Sequence, residues 1–375
     1  VDLLMPGGNQ LDKTCKMNLL ILSSSTGGGH NMRANALKYW WEHRGGNAIV
    51  SQPLESSFPL YRMGSNFYNL IQKYYPAMHN LYFHFLEAAS LHRKKKLILG
   101  TKNWLNSVSE FEPDIVVSVH AHLNHGYFDI LKEKFQRKLK FTIYCGELAD
   151  GIGFSRHWVN PKVDCFFGPF EETCQAALKR GMPEDKTKVV GPLLRKGFYQ
   201  VISPEERESI YKKYDISSDT PTFVLGTGAN GVNRHLKVLH SLARIQPDFQ
   251  VVALCGRNEK TYKEILEQRK LFKFKVFPLR TIDDYEMAAF LRNADFLFSR
   301  PGAGSITEAI VCGTPVIFDV SRGVMPQERN NLNFWRNRSS SIVSCRNPNK
   351  IFNIVCSSLP LVKVTLDSSP DALVR

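Results

Sequence analysis

The chain of 375 residues contains no run approaching the roughly 18 consecutive apolar residues that a membrane-spanning helix needs. Its N-terminus lacks a charged stretch followed by an apolar core, so no secretory signal is read, and contact with lipid is expected to be peripheral. The eight cysteines form no C-x-x-C pair and no zinc-like Cys/His spacing, which excludes a disulfide scaffold and fits small buried thiols in a reducing compartment. A D-x-D triplet, which would hold a divalent ion on a diphosphate, is missing too: Asp283 and Asp284 are adjacent. No repeat or low-complexity segment occurs. Acidic residues are the scarcer charge, 35 against 49 basic ones, and the net charge of +14 implies an anionic partner such as a nucleotide, a nucleic acid or an acidic membrane. The basic residues are spread rather than gathered into a nucleic-acid motif, so a nucleic-acid partner is not expected.

What is present is a pattern of short apolar runs, each followed by a helical stretch. Residues 18–23, 47–52, 114–119, 139–144 and 164–167 read as strands of one parallel sheet, and 222–225, 250–255, 273–277, 296–299 and 315–318 as strands of a second. The length suits two domains. The expected division is an extension over 1–16, because Met17 precedes the first convincing strand, then an N-terminal domain over 17–197. A proline-containing, charged crossing over 198–220 separates it from a C-terminal domain over 221–360, and a tail follows over 361–375.

Two glycine-rich turns stand at strand ends. The first, Gly27-Gly28-Gly29, leads into His30; the second runs Arg300-Pro301-Gly302-Ala303-Gly304-Ser305 and continues to Thr307 and Glu308. A strand that turns through glycines into a helix leaves backbone N–H groups unpaired at the positive end of a dipole, a place for phosphate. Glu308 offers two acceptors to a vicinal diol such as that of a ribose, Ser305 and Thr307 can cap and donate, and Gln327, Glu328 and Asn331 follow the next strand on the same rim. A third glycine turn, Gly226-x-Gly228-x-x-Gly231, matches the dinucleotide fingerprint, and Arg257 after the next strand could meet a 2′-phosphate; the stronger turn four strands into the same domain argues against a dehydrogenase. His30, at a helix N-terminus that favours neutral imidazole, is the candidate base. His120, His122 and His125 lie beyond another strand end, where they line the acceptor side or hold a metal; without carboxylate or Cys partners zinc is the poorer reading.

An insertion over 65–99 is dense in aromatics, Phe67, Tyr68, Tyr74, Tyr75, Tyr82, Phe83 and Phe85, and ends in a basic run with Arg93, Lys94, Lys95 and Lys96 beside Leu97 and Leu99. It reads either as a surface for anionic headgroups or as a packed helical hairpin with a solvated face.

Assembled, these pieces resemble the monogalactosyldiacylglycerol synthase family, a branch of the family 28 glycosyltransferases, over most of the chain from about Leu19 to Asn331. The likeness is carried by STGGGH (25–30), EPDIVVSVH (112–120), CGRN (255–258), RPGAGSITEA (300–309) and PQERNN (326–331). The resemblance implies a GT-B fold, two doubly wound Rossmann-like α/β domains facing an interdomain cleft. It implies a UDP-sugar held by the C-terminal domain and a lipid acceptor brought to the N-terminal domain. Carried onto this sequence, Glu308 binds the ribose, and Gly302, Ala303, Gly304 and Ser305 the diphosphate, with Gly226, Gly228 and Arg257 nearby. The region of Phe277 and Pro278 binds the uracil, and Gln327, Glu328 and Asn331 the sugar hydroxyls. The acceptor and lipid side comprises Gly27, Gly28, Gly29, His120, Glu147 and the basic run. Where relatives show T-D-L after the fourth strand, this chain has Gly146-Glu147-Leu148, and Pro326-Gln327-Glu328 replaces Gly-Gln-Glu.

The expected activity is therefore a metal-independent, inverting transfer of a hexose, galactose first and glucose or N-acetylglucosamine next, from UDP to diacylglycerol or a similar lipid, with no cofactor. The expected setting is a cytoplasmic membrane face or a plastid membrane. The competing class is an inactive glycosyltransferase-like module that only senses anionic lipid.

Overall fold

A computed structural model describes residues 17–25, 28–57, 63–64, 83–84, 87, 93–226, 234–245, 248–339 and 343–358. The expected sites Gly27 and Gly228, the extension over 1–16, the tail over 361–375 and most of the aromatic insertion lie outside the described residues. Two compact units emerge: residues up to Arg195 together with Met325–Asn330, and Lys196–Val324 together with Asn331–Ser369.

The first unit is built on a six-stranded sheet in the order β2-β1-β3-β4-β5-β6, from β1 (Asn18–Leu22), β2 (Asn47–Ser51), β3 (Ile115–Ser118), β4 (Lys140–Tyr144), β5 (Cys165–Gly168) and β6 (Thr187–Val189). Every pairing is parallel. Leu19 to Leu22 are wholly buried, as a strand covered by helices on both faces must be, which is why it appears in the sequence as an unbroken apolar run. Helix α1 (Gly28–His43) follows β1, the short α2 (Pro53–Ser57) follows β2, α3 (Thr101–Phe111) precedes β3, α4 (Gly126–Phe135) follows β3 and α5 (Glu171–Leu178) follows β5.

The second unit repeats the plan in the order β12-β11-β10-β7-β8-β9, from β7 (Thr222–Leu225), β8 (Gln250–Gly256), β9 (Lys275–Arg280), β10 (Phe296–Ser299), β11 (Val316–Asp319) and β12 (Val343–Cys345). All its pairings are parallel too. Phe223 stacks on Phe296 with ring centroids 4.3 Å apart and on Phe249 at 4.6 Å, so aromatic rings form much of the core on one face.

Two strands go beyond the sequence reading. β6 and β12 are three residues long and lie at sheet edges, where one flank is exposed and no apolar run is needed. β9 ends at Arg280 rather than Phe277, so Phe277 and Pro278 sit buried within the strand and the rim moves to Arg280. Pro278 is tolerated because β9 is an edge strand with β8 as its one partner. The stretch over 198–220 carries helix α6 (Pro204–Lys213), started by a Ser203/Glu206 capping box and held by Lys213 and the Tyr214 hydroxyl on Glu286 at 2.5 and 2.8 Å.

Each sheet reverses its strand order once in its interior, between β1 and β3 and between β7 and β10. The loops leaving the two strands at such a point diverge to opposite faces and open a crevice at their carboxyl ends. STGGGH follows β1, His120 follows β3, Gly226 follows β7 and the Arg300 turn follows β10. All four sequence motifs therefore fall at the two places where a parallel sheet of this kind takes ligands.

Candidate active site

In the first unit, the β1 turn is held by a polar network. The Ser25 N–H and the Ser24 hydroxyl both donate to Glu55 Oε1 at 2.7 Å, the Ser25 hydroxyl donates to Gln52 at 2.9 Å, and Gln52 donates to Asn31 at 2.9 Å. A carboxylate thus occupies one of the N–H groups that the sequence offered to phosphate. The turn leads into α1, whose third residue is His30.

His30 Nδ1 lies 2.7 Å from the Val119 carbonyl, which can only accept, so Nδ1 carries the hydrogen and Nε2 keeps the lone pair. Burial and the nearby Arg33 charge lower its pKa to about 4, against the opposing bond to Val119. A neutral imidazole with an open Nε2 follows. The ring meets His120 edge-on at 4.5 Å and Trp158 at 6.3 Å between centroids. His120, His122 and His157 continue as a file of rings 5.6 and 4.9 Å apart, and His125 lies 6.2 Å from His157. Burial, then the charge of Arg93, lowers the His125 pKa to about 4. Among the described residues no group of three or more His, Cys, Asp or Glu is gathered to hold a metal.

Glu147, just past β4, is half-buried near the same spot. Burial raises its pKa to about 7, with Arg33 and a bond from Trp158 opposing. The basic run starts at the far end of the histidine file, where Arg93 acts on His125: Arg93, Lys94, Lys95 and Lys96 are exposed, Lys95 pairs with Glu133, and Leu97 and Leu99 stand about half exposed on either side of the buried Ile98.

In the second unit, α10 (Ala303–Cys312) starts directly after the β10 turn, following α7 (His235–Leu242), α8 (Glu259–Gln268) and α9 (Asp284–Asn293). Gly302 is its N-cap and supplies no side chain, and the first helical bond is donated by Ile306 to Gly302, so the N–H groups of Ala303, Gly304 and Ser305 precede the ladder. Thr307 turns its hydroxyl back onto the Ala303 carbonyl at 2.6 Å and is buried, so it does not donate outward. Glu308 is half-buried in the second helical turn rather than the first. From α11 (Pro326–Arg338), the Asn331 amide donates to the Pro301 carbonyl at 2.9 Å and Glu328 accepts from the Met325 N–H at 2.9 Å; the two are 1% and 2% exposed. Asn331 thus shapes the turn, Glu328 caps the start of α11 among the residues that belong to the first unit, and Gln327, also of the first unit, is half-buried.

The sequence reading missed a row of arginines. Arg346, Arg322, Arg300, Arg234, Arg257 and Arg280 stand at or after the carboxyl ends of β12, β11, β10, β7, β8 and β9, one for every strand in spatial order. Arg300 donates to the Gly323 carbonyl at 3.0 Å, which joins the β10 and β11 ends. Burial, with Arg234 and Arg300 nearby, presses the Arg322 pKa below its ordinary value, while Asp319 opposes. Arg234, Arg300 and Arg322, opposed by Asp319, thus make a net positive cluster, and Arg300 leads directly into the turn before α10. Two of the six, Arg257 and Arg300, are legible as motif residues, and the row they belong to emerges only with the strand order.

Comparison with known proteins agrees with this layout. The profile of the monogalactosyldiacylglycerol (MGDG) synthase family matches residues 30–193, and that of the glycosyltransferase family 28 C-terminal domain matches residues 223–347. A processive diacylglycerol beta-glucosyltransferase of Bacillus licheniformis is 25% identical over 344 residues, covering 87% of this chain and 82% of that protein. Monogalactosyldiacylglycerol synthase 3, chloroplastic, of Arabidopsis thaliana is 23% identical over 352 residues, covering 90% and 73%. The solved structure of Arabidopsis thaliana UGT89C1 complexed with UDP-L-rhamnose matches with a TM-score of 0.58 at 12% identity, covering 96% of this chain and 92% of that one, a likeness of fold. The paired parallel sheets give a GT-B fold, and the two family profiles, met in order along one chain, show that this protein belongs to the glycosyltransferase family 28 group that contains the monogalactosyldiacylglycerol synthases.

Proposed function

We propose that the protein is an inverting glycosyltransferase that moves a hexose from UDP to diacylglycerol or a closely related lipid alcohol, with galactose as the sugar. The observation that carries the reading is the pairing of a neutral histidine having an open Nε2 in one unit with an uncapped helix start, flanked by arginines and by Glu308, in the other. The first supplies a proton acceptor, the second a site for a diphosphate and a ribose. The names of the two relatives support diacylglycerol as the acceptor.

In this reading His30 Nε2 takes the hydrogen bond of the lipid hydroxyl, whose oxygen attacks the anomeric carbon from the face opposite UDP. Departing charge is met by the α10 N–H groups and by Arg234, Arg300 and Arg322, so no metal is called for. An α-linked donor yields a β-glycoside. Glu308 holds the ribose, and Gln327 is assigned to the sugar hydroxyls. Glucose is the second reading, favoured by the Bacillus relative.

No helix among the described residues is long and apolar enough to cross a membrane. The exposed basic run with Leu97 and Leu99 supports docking on an anionic membrane face, each cation there contributing about 1 kcal/mol. The reading is tested by supplying the purified protein with diacylglycerol in mixed vesicles and, separately, UDP-galactose, UDP-glucose and UDP-N-acetylglucosamine. A hexosyl-diacylglycerol identified by mass and sugar analysis supports it. Release of no sugar from any donor leaves the inactive lipid-sensing module in its place.

A further inference from the structure

Gly146, Gly151 and Gly153 follow β4, and each leaves space that another element fills. At Gly146 the occupant is Arg33 of α1, 7% exposed, whose Nη2 donates to the Gly146 carbonyl at 2.8 Å; a Cβ there would overlap the guanidinium. Gly151 and Gly153 instead face the start of α11, whose residues Met325–Asn330 belong to the same unit. A Cβ at Gly151 would overlap the Asn330 amide, and one at Gly153 would lie 2.3 Å from both the Gln327 nitrogen and the Pro326 carbonyl carbon. The first neighbour is a side chain, which can turn away. The second is backbone, so position 153 has no room for any side chain while α11 starts where it does.

The turn is held from both sides. Asn330 is 3% exposed, and its amide, oriented so that the oxygen meets donors, accepts from the N–H groups of Gly153 at 3.2 Å and Phe154 at 3.1 Å. The Phe154 N–H also closes the turn on the Gly151 carbonyl at 3.0 Å, and its buried ring lies 4.6 Å from the Arg180 guanidinium. Arg180 in turn pairs with Asp150 at 2.6 Å, and Asp150 accepts from the Gly151 N–H at 2.7 Å. The stretch over 150–154 is therefore fixed to the chain beyond α5 on one side and to α11 on the other.

On α11, Asn330 follows Gln327 by three positions and shares its face. Pro326, at the first position of the helix, has a fixed φ, so the backbone before Gln327 is stiff where the family pattern has glycine. Glu328 ties the same turn by accepting from the Met325 N–H. The Gln327 amide oxygen is buried and, among the described residues, has no hydrogen-bond partner. Burying an acceptor without a donor costs free energy, and the backbone fixed at 326, 328 and 330 is what keeps it there. A hydroxyl supplies the donor this oxygen lacks.

We propose that the turn over 150–154 is a specificity-determining element of the transfer, with Gly153 and Asn330 the positioning residues that fix the Gln327 amide where it tells galactose from glucose. The inference rests on the assignment of Gln327 to the sugar hydroxyls made above. The two hexoses differ only in the direction of the C4 hydroxyl. A hydrogen bond from that group to a fixed oxygen is open to one epimer alone, whereas a mobile amide follows either.

The test compares kcat/KM for UDP-galactose and UDP-glucose with diacylglycerol in mixed micelles. Wild type should favour one hexose. Gly153→Ala must displace the Gln327 backbone, so it should lower that preference by about tenfold, the scale of one misplaced hydrogen bond, and leave UDP affinity by calorimetry unchanged. Asn330→Ala, which adds no atoms, should lower the preference as well and speed hydrogen exchange at the Gly153 amide. Gln327→Ala should lower it too, and Gly153→Ala added to that variant should change nothing more, because the two act through one group. A Gln327→Ala variant with the wild-type preference overturns the sugar assignment and this inference together. The inference alone is overturned when Gln327→Ala loses the preference but Gly153→Ala and Asn330→Ala keep it, when Gly153→Ala lowers it further in the double variant, or when exchange at the Gly153 amide is unchanged in Asn330→Ala.

Discussion

The ring of His30 is locked to the Val119 carbonyl, with Nδ1 as the donor at 2.7 Å, so a residue from the glycine turn after β1 is oriented by the backbone that leaves β3. The tautomer is a property of the sheet's strand order rather than of His30 itself. Replacing His30 by Ala should lower the transfer rate by about 10²- to 10⁴-fold, the range for losing a positioned proton acceptor. UDP affinity, measured by calorimetry, should stay at the wild-type value, and a parallel loss of UDP binding would show that the histidine serves the donor instead.

Glu308 is assigned to the ribose diol. Glu308→Ala should weaken UDP by about tenfold to a hundredfold, the loss of hydrogen bonds to a charged group. The sharper check is a comparison of UDP with 2′-deoxy-UDP. The wild type should prefer UDP and the variant should bind both alike; a preference that survives the substitution would remove Glu308 from the ribose.

Arg322 and Arg300 are assigned to the diphosphate. Arg322→Ala should weaken UDP by at least about tenfold and leave uridine binding unchanged, and the wild-type UDP affinity should fall as salt rises. Equal losses for uridine and UDP would mean that the arginine supports the fold of the rim instead of touching phosphate.

Acid should destabilise the second unit through His235. This residue is buried, its Nε2 bonds the Leu254 carbonyl at 2.8 Å, and burial lowers its pKa to about 4. Between the unfolded value of about 6.5 and the folded value, the unfolded chain binds a proton that the folded chain refuses, so stability is lost as pH falls through that window. His235 alone accounts for about 3 kcal/mol across it. Calorimetry should show Tm steady above pH 7 and falling below 6.5, with a shallower fall in His235→Gln; an identical fall in the variant would place the effect elsewhere.

Ten of the twelve strands were legible as apolar runs because a parallel strand buried on both faces has no polar positions to interrupt it. β6 and β12 escaped because edge strands of three residues need no such run. The glycine turns were legible as sites because strand-to-helix turns state their own geometry. What the spacing could not give was partnership across the chain. Glu55 occupying Ser25 and Arg33 lying over Gly146 join residues far apart in sequence, and each depends on side-chain reach that no local pattern encodes. The Gly146-Glu147 departure was visible as an oddity, and the buried arginine supplies its physical reason.

The central claim is a single displacement at the anomeric carbon by a lipid hydroxyl, and the configuration of the product tests it most directly. Proton NMR of the glycolipid made from diacylglycerol and the α-linked UDP-hexose should give the large anomeric coupling of a β-glycoside. An α-glycoside, or a donor consumed with only free sugar and UDP formed, would contradict it.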